Sequence, residues 1–159
     1  MRAVKRIRFS AVLVVALTMG ACANRNLVGG NAIAGAASPG TAQDFVVNVG
    51  DRVFFVDNQT DLAPQAIAVL DRQAQWLRAY PAYNFTIEGH ADERGTREYN
   101  LALGARRAQN VRNYLVSRGV DSGRIRTISY GKERPVAVCN EEACWSQNRR
   151  AVTVLNASS

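Results

Sequence analysis

The chain has 159 residues, 47% of them hydrophobic and 21% charged. That supports one domain with a real core, is too short for two ordinary ones, and is not the composition of a disordered chain. The formal charge is +7, from 20 Lys and Arg against 13 Asp and Glu; four of the positives (Arg2, Lys5, Arg6, Arg8) lie in the first eight residues, and without them 16 stand against 13, an excess of +3 that argues against a nucleic-acid partner.

The first ten residues are basic, and Ala11–Gly20 is apolar apart from one Thr. About ten apolar residues make a helix of only ~15 Å, too short to cross a bilayer core. A charged start, a short apolar run and small residues before a cut spell a secretory signal over residues 1–21. Met19-Gly20-Ala21-Cys22 resembles the bacterial lipobox, with Met19 in place of the usual Leu. By that resemblance Cys22 carries the acyl chains (palmitate among them) and becomes the new N-terminus, and Ala23 in the next position implies the outer membrane. Residues 23–44 hold 6 Ala, 4 Gly and 3 Asn without periodicity. They read as a flexible tether, with a mean reach of roughly 25 Å and a stretched reach of ~75 Å.

The domain is expected over residues 45–159. FVVNV (Phe45–Val49) and RVFFV (Arg52–Val56) look like strands divided by Gly50-Asp51. Asp61–Tyr80 reads as a helix: Pro64 suits its first turn, Ile67, Leu70, Ala74 and Leu77 recur at helical spacing, and Pro81 stops it. Phe85–Gly89 is a strand, and Thr96–Arg118 a second helix closed by Gly119. Arg126–Tyr130 is a strand, Ala143–Arg149 a short helix, and Arg150–Leu155 the last strand. This alternation predicts an α+β fold, a mixed sheet with the helices on one face.

Three cysteines are present. With Cys22 given to lipid, export puts Cys139 and Cys144 in an oxidising compartment, where they are expected to form a disulfide closing a small loop. A redox or metal pair is the alternative, but the spacing is not C-x-x-C and no second Cys/His cluster exists. His90 with Glu88 and Asp92 could be called a partial metal site, yet it is the one His in the chain, and a structural role is expected. No metal and no cofactor is expected. Trp76 and Trp145 are expected to pack, or to touch a partner.

The second helix carries an anomaly. Its apolar stripe through Leu103, Gly104, Ala108, Val111 and Leu115 also contains Asn100 and Arg107. A guanidinium on a buried stripe needs an anionic partner. The loop before the helix, Gly89-His90-Ala91-Asp92-Glu93-Arg94-Gly95-Thr96, presents Asp92. Two arrangements answer that demand. Asp92 and Arg107 could form an internal ion pair, or both could face a pocket and grip a zwitterion, Asp92 on its ammonium and Arg107 on its carboxylate. On the second arrangement, alanine at either position removes binding and leaves the fold.

Residues Ile87–Leu115, IEGHADERGTREYNLALGARRAQNVRNYL, resemble the peptidoglycan-binding segment of OmpA-like domains, with motif positions on Asn100, Leu103, Gly104, Arg107, Ala108, Val111 and Leu115. SYGKERP (Ser129–Pro135) and NRRAV (Asn148–Val152) extend the likeness over roughly residues 45–155 and point, with the lipobox, to its lipid-anchored branch. The resemblance implies a βαβαβ(α)β domain with a four-stranded mixed sheet and two long helices on one face. It implies non-covalent binding of the diaminopimelate stem peptide of peptidoglycan. Asp92 and Arg107 would clasp the free end of diaminopimelate, with Arg94 and the backbone at Leu103 beside them. Asn148 and one of Arg149 or Arg150 would line the same mouth; these two arginines face opposite ways in a strand, so one reaches, and Arg149 is taken as that one. Phe55 is a contact candidate or a core residue. An aspartate usual in that branch aligns with Asn58, and Asp57 stands one position earlier. The resemblance also implies TolB as a partner, within the Tol system that constricts the outer membrane at cell division.

The competing class is a peptidoglycan hydrolase using Glu88, Asp92 or Glu93. Paired carboxylates can run such chemistry, but Arg94 and Arg107 nearby should keep them ionised, the wrong state for a general acid. A flagellar-stator-like protein would need a retained spanning helix, and no apolar run of roughly 18 residues is present.

Overall fold

The computed structural model describes residues 37–156; the signal segment, Cys22 and most of the tether lie outside the described residues. The first element corrects an expectation. Phe45–Val49 is helical, not a strand. Thr41 caps a helical turn, α1 (Ala42–Asp44), which runs directly into a wider π turn over Phe45–Val49. Phe45 and Val49 are buried while Val46, Val47 and Asn48 are exposed. That burial at i and i+4 is helical spacing, masked in the sequence by the valines, which favour strands in isolation. Asp44 decides the matter from outside the segment. Its carboxylate accepts from Trp76 Nε1 at 2.7 Å, Gly40 N at 2.9 Å and Asn48 Nδ2 at 2.8 Å. The packed region therefore begins before the boundary drawn from composition at residue 45. Gly50, at φ +92°, ends the turn in a conformation that favours glycine.

Strand β1 is Arg52–Phe54, and α2 is Pro64–Ala79 with the proline in its first turn. Then follow β2 (Phe85–His90), α3 (Arg97–Ser117), a 3₁₀ turn (Ser122–Arg124), β3 (Ile125–Gly131), α4 (Glu142–Asn148) and β4 (Arg150–Leu155). The sheet is mixed and four-stranded, in the order β1-β4-β2-β3. The last strand lies inside the sheet, antiparallel to both β1 and β2, while β2 and β3 run parallel. That topology brings Arg149, just before β4, between the ends of β1 and β2.

One face of the sheet holds Val53, Phe85, Ile87 and Ala151, packed under Leu70, Ala74 and Leu77 of α2 and Ala108, Val111 and Leu115 of α3. Trp76 is buried among Phe45, Tyr80 and Tyr83 with ring centroids 4.6 to 5.3 Å apart, a packing role. Helix α3 starts at Thr96, whose hydroxyl accepts from Tyr99 N, a cap worth about 1 kcal/mol. It ends at Gly119 (φ +86°). No helix among the described residues is long and apolar enough to cross a membrane.

Candidate functional site

The site is built on the loop that leaves β2. A register shift at Gly89/His90 re-aims the chain, and Asp92 folds it into a tight turn by accepting from Arg94 N at 3.1 Å. Asn100, buried on α3, donates to the Arg94 carbonyl at 2.6 Å. Lys132 donates to the carbonyls of Glu93 (3.1 Å) and Gly95 (2.7 Å). The loop is thus held from α3 on one side and from the exit of β3 on the other. Asn100, singled out for its place on an apolar stripe, is a loop fastener.

Asp92 is almost fully buried and its oxygens are heavily used. Oδ1 accepts from Arg94 Nε at 3.1 Å, and Oδ2 from Arg94 Nη2 at 2.6 Å and Arg149 Nη1 at 3.4 Å. Burial disfavours its charged form, but the hydrogen bonds and charge of Arg94, with the hydrogen bond of Arg149, outweigh burial and hold its pKa below the ordinary carboxylate value. Arg94 also reaches Asp57 at 2.8 Å and lies 4.2 Å from the centroid of the Trp145 ring. Its Nη1 has no hydrogen-bond partner among the described residues, and the side chain is 38% exposed. Arg149 is sealed by Glu142, Asp92 and the Phe55 carbonyl. Arg150 faces the other way and bonds the carbonyls of Asn148 and Arg134.

Arg107 is fully buried and makes no ion pair with Asp92. The internal pair, one of the two arrangements expected, is not formed. The open guanidinium of the other arrangement is not found either. Nε donates to the Gln59 carbonyl (2.9 Å), Nη1 to His90 (2.8 Å) and Nη2 to Val56 (3.2 Å), and the group lies 5.0 Å from the centroid of the Phe55 ring. The physical reason is competition. Arg94 is two residues from Asp92 and Arg149 is held beside it at the entry to β4, so they take the carboxylate, while the 56–59 turn supplies Arg107 with carbonyls. Burial, then the charge of Arg149, pushes the Arg107 pKa down to about 10; Asp92 and Asp57 oppose the shift. At neutral pH it remains a buried cation with two carboxylates near but not touching.

A cavity of about 430 Å³ opens above this cluster, lined by Asp57, Asn58, Asp92, Arg94, Gly95, Thr96 and Tyr99. A second cavity of about 420 Å³, between β1 and α2, is walled mainly by apolar side chains. The first has the convergent charged groups of a recognition site.

Of the expected contacts, Asp92 and Arg94 line the cavity. Arg149 touches it only through Asp92. Arg107, Leu103, Phe55 and Asn148 are buried away from its lining. Phe55 is core, and its ring underlies Arg107. Asn148 clamps the segment before α4, its Oδ1 accepting from Val136 N and Ala137 N and its Nδ2 donating to the Ala137 carbonyl; a fully buried amide engaged at both polar atoms does not reach the mouth. Sequence reasoning missed Thr96 and Tyr99 and assigned no contact to Asp57 or Asn58. Asn58 adopts φ +53°, a conformation tolerated by Asn, and its Oδ1 accepts from Tyr99 Oη at 3.3 Å. That left-handed step turns both Asp57 and Asn58 to the cavity. The Val-Asp-Asn-Gln run after a strand was the available turn signal. Cys139 and Cys144 are bonded, with Cα atoms 5.7 Å apart.

The model of the OmpA family matches residues 54–150. The chain belongs to the OmpA family. Peptidoglycan-associated lipoproteins of Rhizobium meliloti and Brucella melitensis are 60% and 56% identical over 98% of this chain, covering 91% and 95% of their own lengths. The crystal structure of the peptidoglycan-associated lipoprotein from Burkholderia pseudomallei is 43% identical, with a TM-score of 0.65 over 67% of this chain and 90% of that one. The C-terminal domain of Helicobacter pylori MotB shares the fold at 20% identity and a TM-score of 0.63. The OmpA-family match spans the whole cavity lining.

Proposed function

We propose that this chain is an outer-membrane lipoprotein that clamps peptidoglycan without covalent chemistry. The cavity takes the free zwitterionic end of diaminopimelate in a stem peptide. Its ammonium lies against the wall of Asp57 and Asp92. Its carboxylate meets the free Nη1 of Arg94, above the buried charge of Arg107. Supporting this reading is an open cavity wall where the carboxylates of Asp57 and Asp92 stand beside the Arg94 guanidinium, whose Nη1 is unused. Relatives over nearly the whole length carry the name peptidoglycan-associated lipoprotein. Acyl chains on Cys22 would hold the other end, so that each rebinding becomes intramolecular and many weak grips hold the envelope together. TolB and the Tol–Pal system are the proposed partners.

The protein is a binder, not an enzyme. Asp92 is held ionised by Arg94 and Arg149, so it has no proton to give a leaving group. The direct grip of Arg107 on the ligand is replaced here by a field effect, because the 56–59 turn roofs the guanidinium. The test is to incubate the full-length protein with purified sacculi. Wild type sediments with the wall and releases no fragments, whereas Asp92→Ala stays in the supernatant. Sedimentation of Asp92→Ala at the wild-type level would refute the pocket. A muropeptide with lysine in place of diaminopimelate lacks the end carboxylate and binds more weakly.

A further inference from the structure

Arg94 is the most exposed arginine of the cluster, so burial does not fix it. Its geometry depends on what surrounds it. Asp92 and Asp57 hold one edge of the guanidinium. The flat face is held by a residue from a different element, Trp145 of α4. The same indole donates its N–H to the carboxylate of Glu93. One half-buried side chain thus grips two successive residues of the site loop, one by hydrogen bond and one by stacking.

Trp145 is itself held. Its backbone N–H donates to the Glu141 carbonyl at 3.0 Å, and its carbonyl accepts from Arg149 N at 3.0 Å. The preceding residue, Cys144, is bonded to Cys139 in the segment before the helix. That segment is in turn clamped by buried Asn148. A seven-residue helix is too short to hold its own geometry in water. The disulfide and Asn148 supply what length does not.

We infer that Trp145 is a positioning residue of the binding site: it sets the plane of the Arg94 guanidinium so that Nη1 faces the cavity, and the Cys139–Cys144 bond sets Trp145. The inference rests on the proposal that Arg94 receives the carboxylate of a stem-peptide end. A guanidinium stacked on an aromatic face keeps its edge donors free and loses little freedom when an anion arrives. The disulfide then acts on ligand affinity as well as on stability.

The experiment is calorimetric titration of the full-length protein in detergent with diaminopimelate-containing and lysine-containing muropeptides. Trp145→Ala is expected to bind the diaminopimelate ligand about three- to tenfold more weakly. Its affinity for the lysine ligand should change much less, so the preference for diaminopimelate narrows. Trp145→Phe, which keeps a flat aromatic face, should recover most of the loss. With Arg94→Gln in place, adding Trp145→Ala should cost nothing further, because the group to be positioned is gone. Cys139→Ser with Cys144→Ser should narrow the preference in the same way. Thermal unfolding of each variant checks the fold, and Trp145→Phe carries the test if Trp145→Ala does not fold.

Wild type failing to bind either muropeptide overturns the proposed function and this inference together. Wild type binding while Trp145→Ala keeps both affinities overturns the positioning role alone. Equal losses for both ligands, or losses that add fully to those of Arg94→Gln, also overturn it, because they mark a general structural role. Serine variants with unchanged preference overturn the part assigned to the disulfide.

Discussion

Gly89 and Gly104 meet backbone to backbone: a Cβ placed on Gly89 would lie 1.8 Å from the carbonyl oxygen of Gly104. Helix α3 therefore rests directly on the end of β2. Arg107, three residues along the helix, is carried over the strand end, where it reaches the His90 carbonyl. Gly89→Ala must push the helix off the sheet, since backbone cannot yield as a flexible side chain can. The variant should lose about 1–3 kcal/mol of stability or more, read as a lowered midpoint of urea unfolding. An unchanged midpoint would contradict the contact.

Arg107→Ala should unfold far more easily than Asp92→Ala weakens the fold. Removing the guanidinium leaves the carbonyls of Gln59, His90 and Val56 without their donors, at about 1–3 kcal/mol for each one that water cannot reach. The sequence-level expectation that alanine at this position leaves the fold intact does not survive this geometry. Loss of sedimentation in Arg107→Ala is thus informative only beside its unfolding curve. Arg107→Lys, with charge kept but the planar fork lost, should fall between wild type and alanine in stability.

Asp57 offers a cleaner probe of the cavity. Its side chain is 45% exposed and one oxygen is left over from its bond to Arg94. Asp57→Asn should change stability by less than about 0.5 kcal/mol. It should nevertheless weaken muropeptide binding several-fold, because one of the two negative walls is gone. Equal affinity for variant and wild type in a titration would remove Asp57 from the site.

His90 makes stability pH-dependent. It is buried beneath the loop with both ring nitrogens lacking a hydrogen-bond partner among the described residues, its ring centroid 5.7 Å from that of Tyr130 and its Nε2 3.7 Å from the Glu88 carboxylate. Burial first, then the charges of Arg150 and Arg134, pushes its pKa from the ordinary 6.5 down to about 4. The unfolded chain takes up a proton near pH 6.5 that the folded chain refuses until about pH 4. Stability is therefore full above that window and falls as pH drops through it, by about 3 kcal/mol at pH 4. His90→Gln should flatten the urea midpoint against pH between 7 and 4. A slope as steep as that of wild type would place the titrating group elsewhere. Asp92, with its lowered pKa, adds acid sensitivity only at the bottom of this range and below.

Local chemistry made much of the fold legible. Pro64 and Pro81 bracket α2, Thr96 and Gly119 bracket α3, and RAVTVL matches β4 residue for residue. Phe45–Val49 was misread because its partners are far along the chain: Trp76 fastens Asp44, and no window of five residues contains that bond. At the site, Asp92 and Arg94 were legible because strand, loop and helix cap follow one another in a single stretch. For Trp145 the sequence supports no more than packing or a partner contact, because its stacking partner Arg94 lies 51 residues away.

Chain order and residue type were enough to establish the α+β class, both long helices, the mixed sheet, the Cys139–Cys144 pair, the family, and the oddity of a guanidinium on a greasy helix face. Which anion each arginine holds was decided only in three dimensions. Asp92 has room for a few donors, and Arg94, Arg149 and Arg107 lie 2, 57 and 15 residues from it. Spacing along the chain does not rank such competitors. The ranking came from β4 inserting between β1 and β2, which delivered Arg149 to the carboxylate, and from a left-handed turn at Asn58, which roofed Arg107 with carbonyls and brought Asp57 to Arg94.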